Sequence, residues 1–291
     1  MAAHGEAAVT MGERGGAPAL QLRTDGGARA EVSLHGAQLV SWRPAGGREW
    51  IFLSERADFA IGKAIRGGVP ICFPQFAALG PLPKHGLVRT RRWSVVEQGI
   101  SGGAPRVVLG FDPDAEVRAL WPRPCRVECI VRLEDDRVAL ELAVRNLGDA
   151  PLSFTAALHG YFAVGDVQAV EVMGLQGVEY RDAADGDRLK VERGSAVAIR
   201  GEVDRVYHSV PGEVVLREPG RALALSAEGF PDVVVWNPGA VKCAALPDMA
   251  PDGWRRMLCV EAGAIRTPVV VAPGATWRGR QILSNVGGPK V

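Results

Sequence analysis

The chain has 291 residues, 47% hydrophobic and 23% charged, with a formal charge of +1. That balance is ordinary for a soluble globular protein and supplies no basic field for nucleic acid or an anionic membrane. Five cysteines (Cys72, Cys125, Cys129, Cys243 and Cys259) without a CxxC pair argue against a disulfide framework or a zinc site, so buried, reduced thiols are expected.

The first eighteen residues, MAAHGEAAVTMGERGGAP, lack the apolar core of a signal peptide and carry Glu6 and Glu13. They read as a disordered extension ahead of a single domain over 19–291. No apolar run reaches the ~18 residues of a membrane span, so a cytoplasmic location and no membrane partner are expected.

Further on, period-two alternation recurs and long helical periodicity is hard to find. Strands are predicted at Trp93 to Gln98 and Arg106 to Phe111. CRVECIVRL then sets Val127, Cys129, Val131 and Leu133 against Arg126, Glu128, Ile130 and Arg132. RVALELAVRN sets Val138, Leu140, Leu142 and Val144 against Ala139, Glu141, Ala143 and Arg145; joined by the acidic turn at 134–136, the two segments predict a hairpin. More strands are predicted at Leu152 to Leu158, Arg221 to Ala227, Asp232 to Trp236, Met257 to Glu261 and Thr276 to Leu283, separated by SGGAP, NLGDAP, DAADGD, VPGE and VAPGAT. Many short strands punctuated by 36 glycines and 20 prolines indicate an all-β fold, a large antiparallel β-sandwich.

Chemistry-bearing residues concentrate in a few places. The loop IRGGVPICFPQFAALGPLPKHGLVRTRRW holds Arg66, Lys84, His85 and Arg89 in apolar, Gly/Pro-rich surroundings. Guanidinium forks match phosphate oxygens, and glycines let the backbone approach a ligand closely. Composition alone nevertheless favours a structural loop, since arginine is usually a surface residue. The loop contains neither a P-loop nor a GxGxxG signature. His159 stands at the end of the apolar strand SFTAAL, suited to proton transfer yet by itself more often structural. Glu261 shares a strand face with Met257 and Cys259, and a carboxylate there costs several kcal/mol unless paired or functional. Asp204, in EVDRVY, suits a structural turn or ion pair. His4, His35 and His208 show no metal-ligand spacing, and no GxSxG nucleophile is present. The seven tryptophans include candidates for stacking on a sugar, among which the sequence does not choose.

IRGGVPICFPQF, KHGLVR, LHGYFAV, VDRVY and CVEAG, in this order, resemble the glucose-6-phosphate 1-epimerase branch of the aldose 1-epimerase (galactose mutarotase-like) superfamily. The resemblance spans roughly residues 20 to 285. It implies a galactose mutarotase-like supersandwich that interconverts the α and β anomers of a hexose 6-phosphate, with no cofactor and no metal. Residue by residue, it implies that His159 and Glu261 are the catalytic pair, Arg66 and Arg89 hold the phosphate, Asp204 binds substrate and His85 faces the sugar. Lys84 departs from the glutamine common before the HG of this loop, and is placed with the substrate-binding residues. The expected partner is a small-molecule hexose 6-phosphate met by a monomer. The competing readings are an epimerase for unphosphorylated aldoses and a non-catalytic carbohydrate-binding sandwich.

Overall fold

The computed structural model describes residues 6–287. Strands dominate these residues, arranged in three antiparallel sheets of four, eight and nine strands. Two six-residue helices, Ala115–Leu120 and Gly239–Ala244, accompany them. None of the described helices is long and apolar enough to cross a membrane.

The predicted hairpin is Cys125–Leu133 paired with Arg137–Asn146, with Val127 opposite Val144 and Leu133 opposite Val138. The eight alternating apolar side chains of the two strands are all buried, so the pattern selects which face meets the core. Burying one such aliphatic side chain contributes about 1.5–3 kcal/mol, an upper bound because an unfolded chain already buries part of it. Leu152–Leu158 forms with the predicted bounds. The segment expected from Met257 to Glu261 instead continues to Val271. Its pairing with Leu152–Leu158 shifts register between Phe154 and Ala156, putting surplus residues on the longer strand. The buried Asp232 carboxylate stabilises that irregularity, accepting the N–H groups of Ile265 and Arg266 at 2.8 Å each. A periodicity reading stops where alternation stops; here a distant carboxylate carries the strand on.

The expectation of a disordered extension over residues 1–18 is corrected. Ala8–Arg14 is a strand, paired along its length with Ala17–Arg23 at the edge of the four-stranded sheet. The two strands turn at Gly15 and Gly16, with φ of +57° and +75°. Two successive positive φ values define the hairpin turn that glycine adopts without steric cost, and GG was the available signal for it. The part of that expectation covering residues 1–5 lies outside the described residues.

Within the eight-stranded sheet the spatial order runs Arg188–Val191, Glu179–Asp182, Val203–Tyr207, Asp232–Asn237, Met257–Val271, Leu152–Leu158, Ile71–Cys72, with Tyr161–Ala163 also paired to the long strand. Alternate residues face opposite sides. Phe154, Ala156 and Leu158 join Leu258, Val260 and Ala262 in the main core, which also takes in both other sheets. The opposite face carries a smaller apolar layer of Cys72, Phe76, Ala157, Val206, Val234 and Ile265. Glu261 belongs to that second face.

Candidate functional site

Strand pairing brings His159 and Glu261 together. Leu158 lies opposite Ala262 and Tyr161 opposite Cys259, so His159, in the break between the two short strands, arrives beside Glu261. His159 N–H donates to the Pro70 carbonyl at 2.9 Å, which fixes the break. The imidazole Nε2 then stands 3.3 Å from Glu261 Oε1, with side-chain exposures of 7% and 1%. His159 Nδ1 and Glu261 Oε2 are buried and meet no hydrogen-bond partner in the protein. A buried polar atom without a partner is costly, so each is a place for a ligand or a water.

The electrostatics of the pair are set by burial. It pushes the Glu261 carboxyl well up, aided by neighbouring Asp204, with Arg89 and Lys84 pulling the other way. It pushes the His159 imidazole well down, reinforced by His85, Arg89 and Arg66. Both shifts disfavour charge, so the two groups hold one proton between them in an uncharged pair. In that state the carboxyl holds the proton and the imidazole is neutral; transfer across the 3.3 Å gap to His159 Nε2 gives the ion pair.

Around the pair stand groups on several elements. Tyr161 lies flat against His159, ring centroids 4.8 Å apart and planes 9° apart, and Trp236 meets both rings edge-on. Half-buried Asp204 is opposite Trp236 in the sheet, and burial raises its carboxyl. The His85 ring centroid is 5.2 Å from that of His159. Arg66 donates through Nε to Asp248 Oδ1 and through Nη1 to the Tyr161 hydroxyl, both at 3.1 Å. Arg89 donates to the Lys84 carbonyl at 3.2 Å and makes no ion pair among the described residues. Both arginines depress His85 and His159, which places their charges around the same two imidazoles. Of the seven residues expected at the site, His159, Glu261 and His85 come together, whereas Arg66, Arg89, Lys84 and Asp204 act on the pair through their charges without touching it.

Three neighbours escaped the sequence reading, Tyr161, Asp248 and Cys72, and Trp236 is one of the seven tryptophans among which it did not choose. Tyr161 had a signal, since it lies two residues beyond His159 in an alternating segment and so shares its face. Asp248 had none, because its contact with Arg66 spans 182 positions. The glycines of IRGGVP also have a duty other than the one expected. A Cβ on Gly67, whose φ is +114°, would lie 2.4 Å from the Phe52 carbonyl oxygen, so the close approach is to the protein's own backbone.

One set of metal-type donors gathers among the described residues, His159, Cys259 and Glu261, with ligand atoms within 4.8 Å of one another. A cation there would occupy the imidazole and carboxylate that face each other, removing them from proton transfer.

Burial of Glu261 has a stability consequence. A carboxyl whose folded value is raised contributes stability that is fully present below its unfolded value and lost as pH rises through the folded one. Glu261→Gln is therefore expected to raise Tm at pH 7–8 by roughly 2–6 °C, corresponding to about 1–2 kcal/mol in a chain of this size. Against wild type the gain should vanish near pH 4; thermal melts across this range check it, and a variant less stable than wild type at pH 8 would contradict it.

With this geometry established, comparison with known proteins gives a consistent picture. The Aldose 1-epimerase family model matches residues 18–284. A protein of Cenchrus ciliaris provisionally named a glucose-6-phosphate 1-epimerase is 36% identical over 270 residues, covering 88% of this chain and 81% of its own. An Escherichia coli K12 protein with the same provisional name is 32% identical over 237 residues, covering 80% and 79%. The crystal structure of a provisionally named mutarotase, YeaD, from Salmonella typhimurium superposes with a TM-score of 0.88 at 26% identity, covering 96% of this chain and 94% of that one. Matched over nearly all of its length and carrying a buried carboxylate–imidazole pair, the chain belongs to the aldose 1-epimerase family.

Proposed function

We propose that this protein interconverts the α and β anomers of a hexose 6-phosphate, D-glucose 6-phosphate first among them, with Glu261 and His159 as the proton-transfer pair. The observation that carries the reading is the buried 3.3 Å contact between His159 Nε2 and Glu261 Oε1, on which the charges of Arg66, Arg89 and Lys84 act. The provisional names of the relatives supply the substrate class.

Ring opening moves two protons on oxygens bonded to the same carbon, the C1 hydroxyl and the ring oxygen, so acid and base must be neighbours. With the shared proton on His159, Glu261 takes the hydroxyl proton while His159 gives one to the ring oxygen as the C1–O5 bond breaks. The aldehyde forms, and the pair ends as neutral imidazole and protonated carboxyl. That is the uncharged arrangement which burial favours, so the open-chain state leaves no buried charge on the pair. Rotation about C1–C2 presents the other aldehyde face. Glu261 then returns its proton to the carbonyl oxygen as O5 closes, and His159 takes the O5 proton. No net proton is gained or lost in the cycle.

An unphosphorylated aldose is the second reading, favoured by one observation: Arg66 already has a carboxylate partner in Asp248. Among the described residues, Arg89 and Lys84 are the site cations that make no ion pair. One experiment separates the readings, together with a merely carbohydrate-binding sandwich. Exchange NMR at anomeric equilibrium, with and without protein, is run on glucose, galactose and mannose 6-phosphates and on the free sugars. Faster exchange for a 6-phosphate than for its free sugar supports the proposal; equal acceleration favours the aldose enzyme, and no acceleration leaves a binding module.

A further inference from the structure

Three contacts and a buried position hold His85. Its backbone adopts φ +66°, a left-handed conformation, and its N–H donates to the Ala77 carbonyl at 2.9 Å. The Phe76 ring meets the imidazole edge-on with centroids 5.3 Å apart, and His159 lies on another side. The ring position is therefore settled by the fold, leaving the location of its proton as the remaining freedom.

Two donors converge on one ring nitrogen. Cys72, on the short strand paired to Ala157 and Leu158, places Sγ 3.2 Å from His85 Nδ1. The Ala77 backbone N–H points to the same nitrogen at 3.4 Å. Burial pushes the Cys72 thiol well up, against the opposing pull of Arg89 and Lys84, so it keeps a proton to donate, and the Ala77 N–H already makes Nδ1 the acceptor. A nitrogen facing two N–H or S–H groups must accept, and in a neutral imidazole the other nitrogen then carries the hydrogen. Protonation of both nitrogens is opposed by burial and by Arg89, Lys84 and Arg66, which hold the His85 pKa at about 3.

We infer that Cys72 is a positioning residue that fixes His85 as the Nε2–H tautomer, making it a permanent hydrogen-bond donor to a sugar oxygen and not a second acid or base. The inference rests on the epimerase reading for the identity of the acceptor. It divides labour between the two imidazoles: His159 moves a proton, and His85 offers one without releasing it. A donor of this kind complements Glu261 and Asp204, and it discriminates for a substrate oxygen at that point, because an analogue lacking that oxygen would leave the Nε2–H without a partner.

The tautomer is measured first in the substrate-free wild-type protein, by long-range 1H–15N correlation on 15N-labelled imidazoles at pH 7, with His85 assigned from the spectrum of His85→Gln. Nε2–H is expected. Cys72→Ala, which leaves only the weaker Ala77 contact, is then expected to mix the tautomers and to raise KM about 3- to 10-fold, the range of one lost neutral hydrogen bond, with kcat within about twofold. Cys72→Ser, which restores a donor, is expected to stay near the wild-type KM. A wild-type His85 in the Nδ1–H form overturns the inference, as does a folded Cys72→Ala variant with unchanged tautomer and KM. The wild-type spectrum decides even if Cys72→Ala does not fold. Because that spectrum needs no substrate, an Nε2–H His85 in a protein that accelerates no anomer exchange would fault the functional reading and leave the tautomer lock standing.

Discussion

Glu261→Gln and His159→Gln are each expected to lower catalysed anomer exchange by about 10²- to 10⁴-fold, the range for removing one general acid or base. Glutamine keeps the size of the carboxylate but cannot take the C1 hydroxyl proton. Because the two groups share one proton across 3.3 Å, removing either disables both, and the double variant should be scarcely slower than the worse single one. Multiplying losses would mean that the two groups act independently, and near-wild-type rates in either variant would end the assignment. The comparison is clean for Glu261→Gln, since the same change is expected to stabilise the fold at neutral pH. Loss of activity together with a higher Tm cannot be ascribed to unfolding.

The opposite signs of those two effects explain why Glu261 stood out in the sequence. A carboxylate among apolar strand residues violates the pattern that builds the rest of the sheet, and such violations concentrate at functional sites. His159 gave a weaker signal, because a histidine at a strand end breaks no rule. The sheet itself was legible wherever alternation was strict, as in Val127 to Leu133 and Val138 to Val144. It was less legible where a strand depends on something remote. Residues 262–271 belong to the long strand with the aid of Asp232, thirty-three positions from Ile265. Ala8–Arg14 pairs as an edge strand with no fully buried residue, so composition made it look like an extension. Contacts such as Arg66 with Asp248, or Cys72 with His85, depend on which strand faces come together, and periodicity alone does not specify that.

The arginines separate the phosphate from the rest of the substrate. Arg89→Ala is expected to raise KM for glucose 6-phosphate about 10- to 100-fold, the worth of a charge-assisted hydrogen bond, while leaving exchange of free glucose nearly unchanged. Arg66→Ala should behave differently. Its guanidinium compensates Asp248 and holds the hydroxyl of Tyr161, whose ring lies flat against His159. Truncation would strand the Asp248 carboxylate and loosen the ring that orients the catalytic imidazole, so kcat should fall with free glucose as well as with the phosphorylated sugar. Asp248→Asn tests the same link from the other end. It weakens the hold on Arg66 and leaves its charge for the ligand, so KM for the 6-phosphate should fall and its dependence on ionic strength should steepen. Steady-state mutarotation assays on both sugars at two salt concentrations distinguish these outcomes. If Arg89→Ala slows both sugars equally, the cation serves the acid/base pair and not a phosphate. If Arg66→Ala alters KM alone, Tyr161 keeps His159 in place without it, and the path from phosphate to catalytic imidazole is absent.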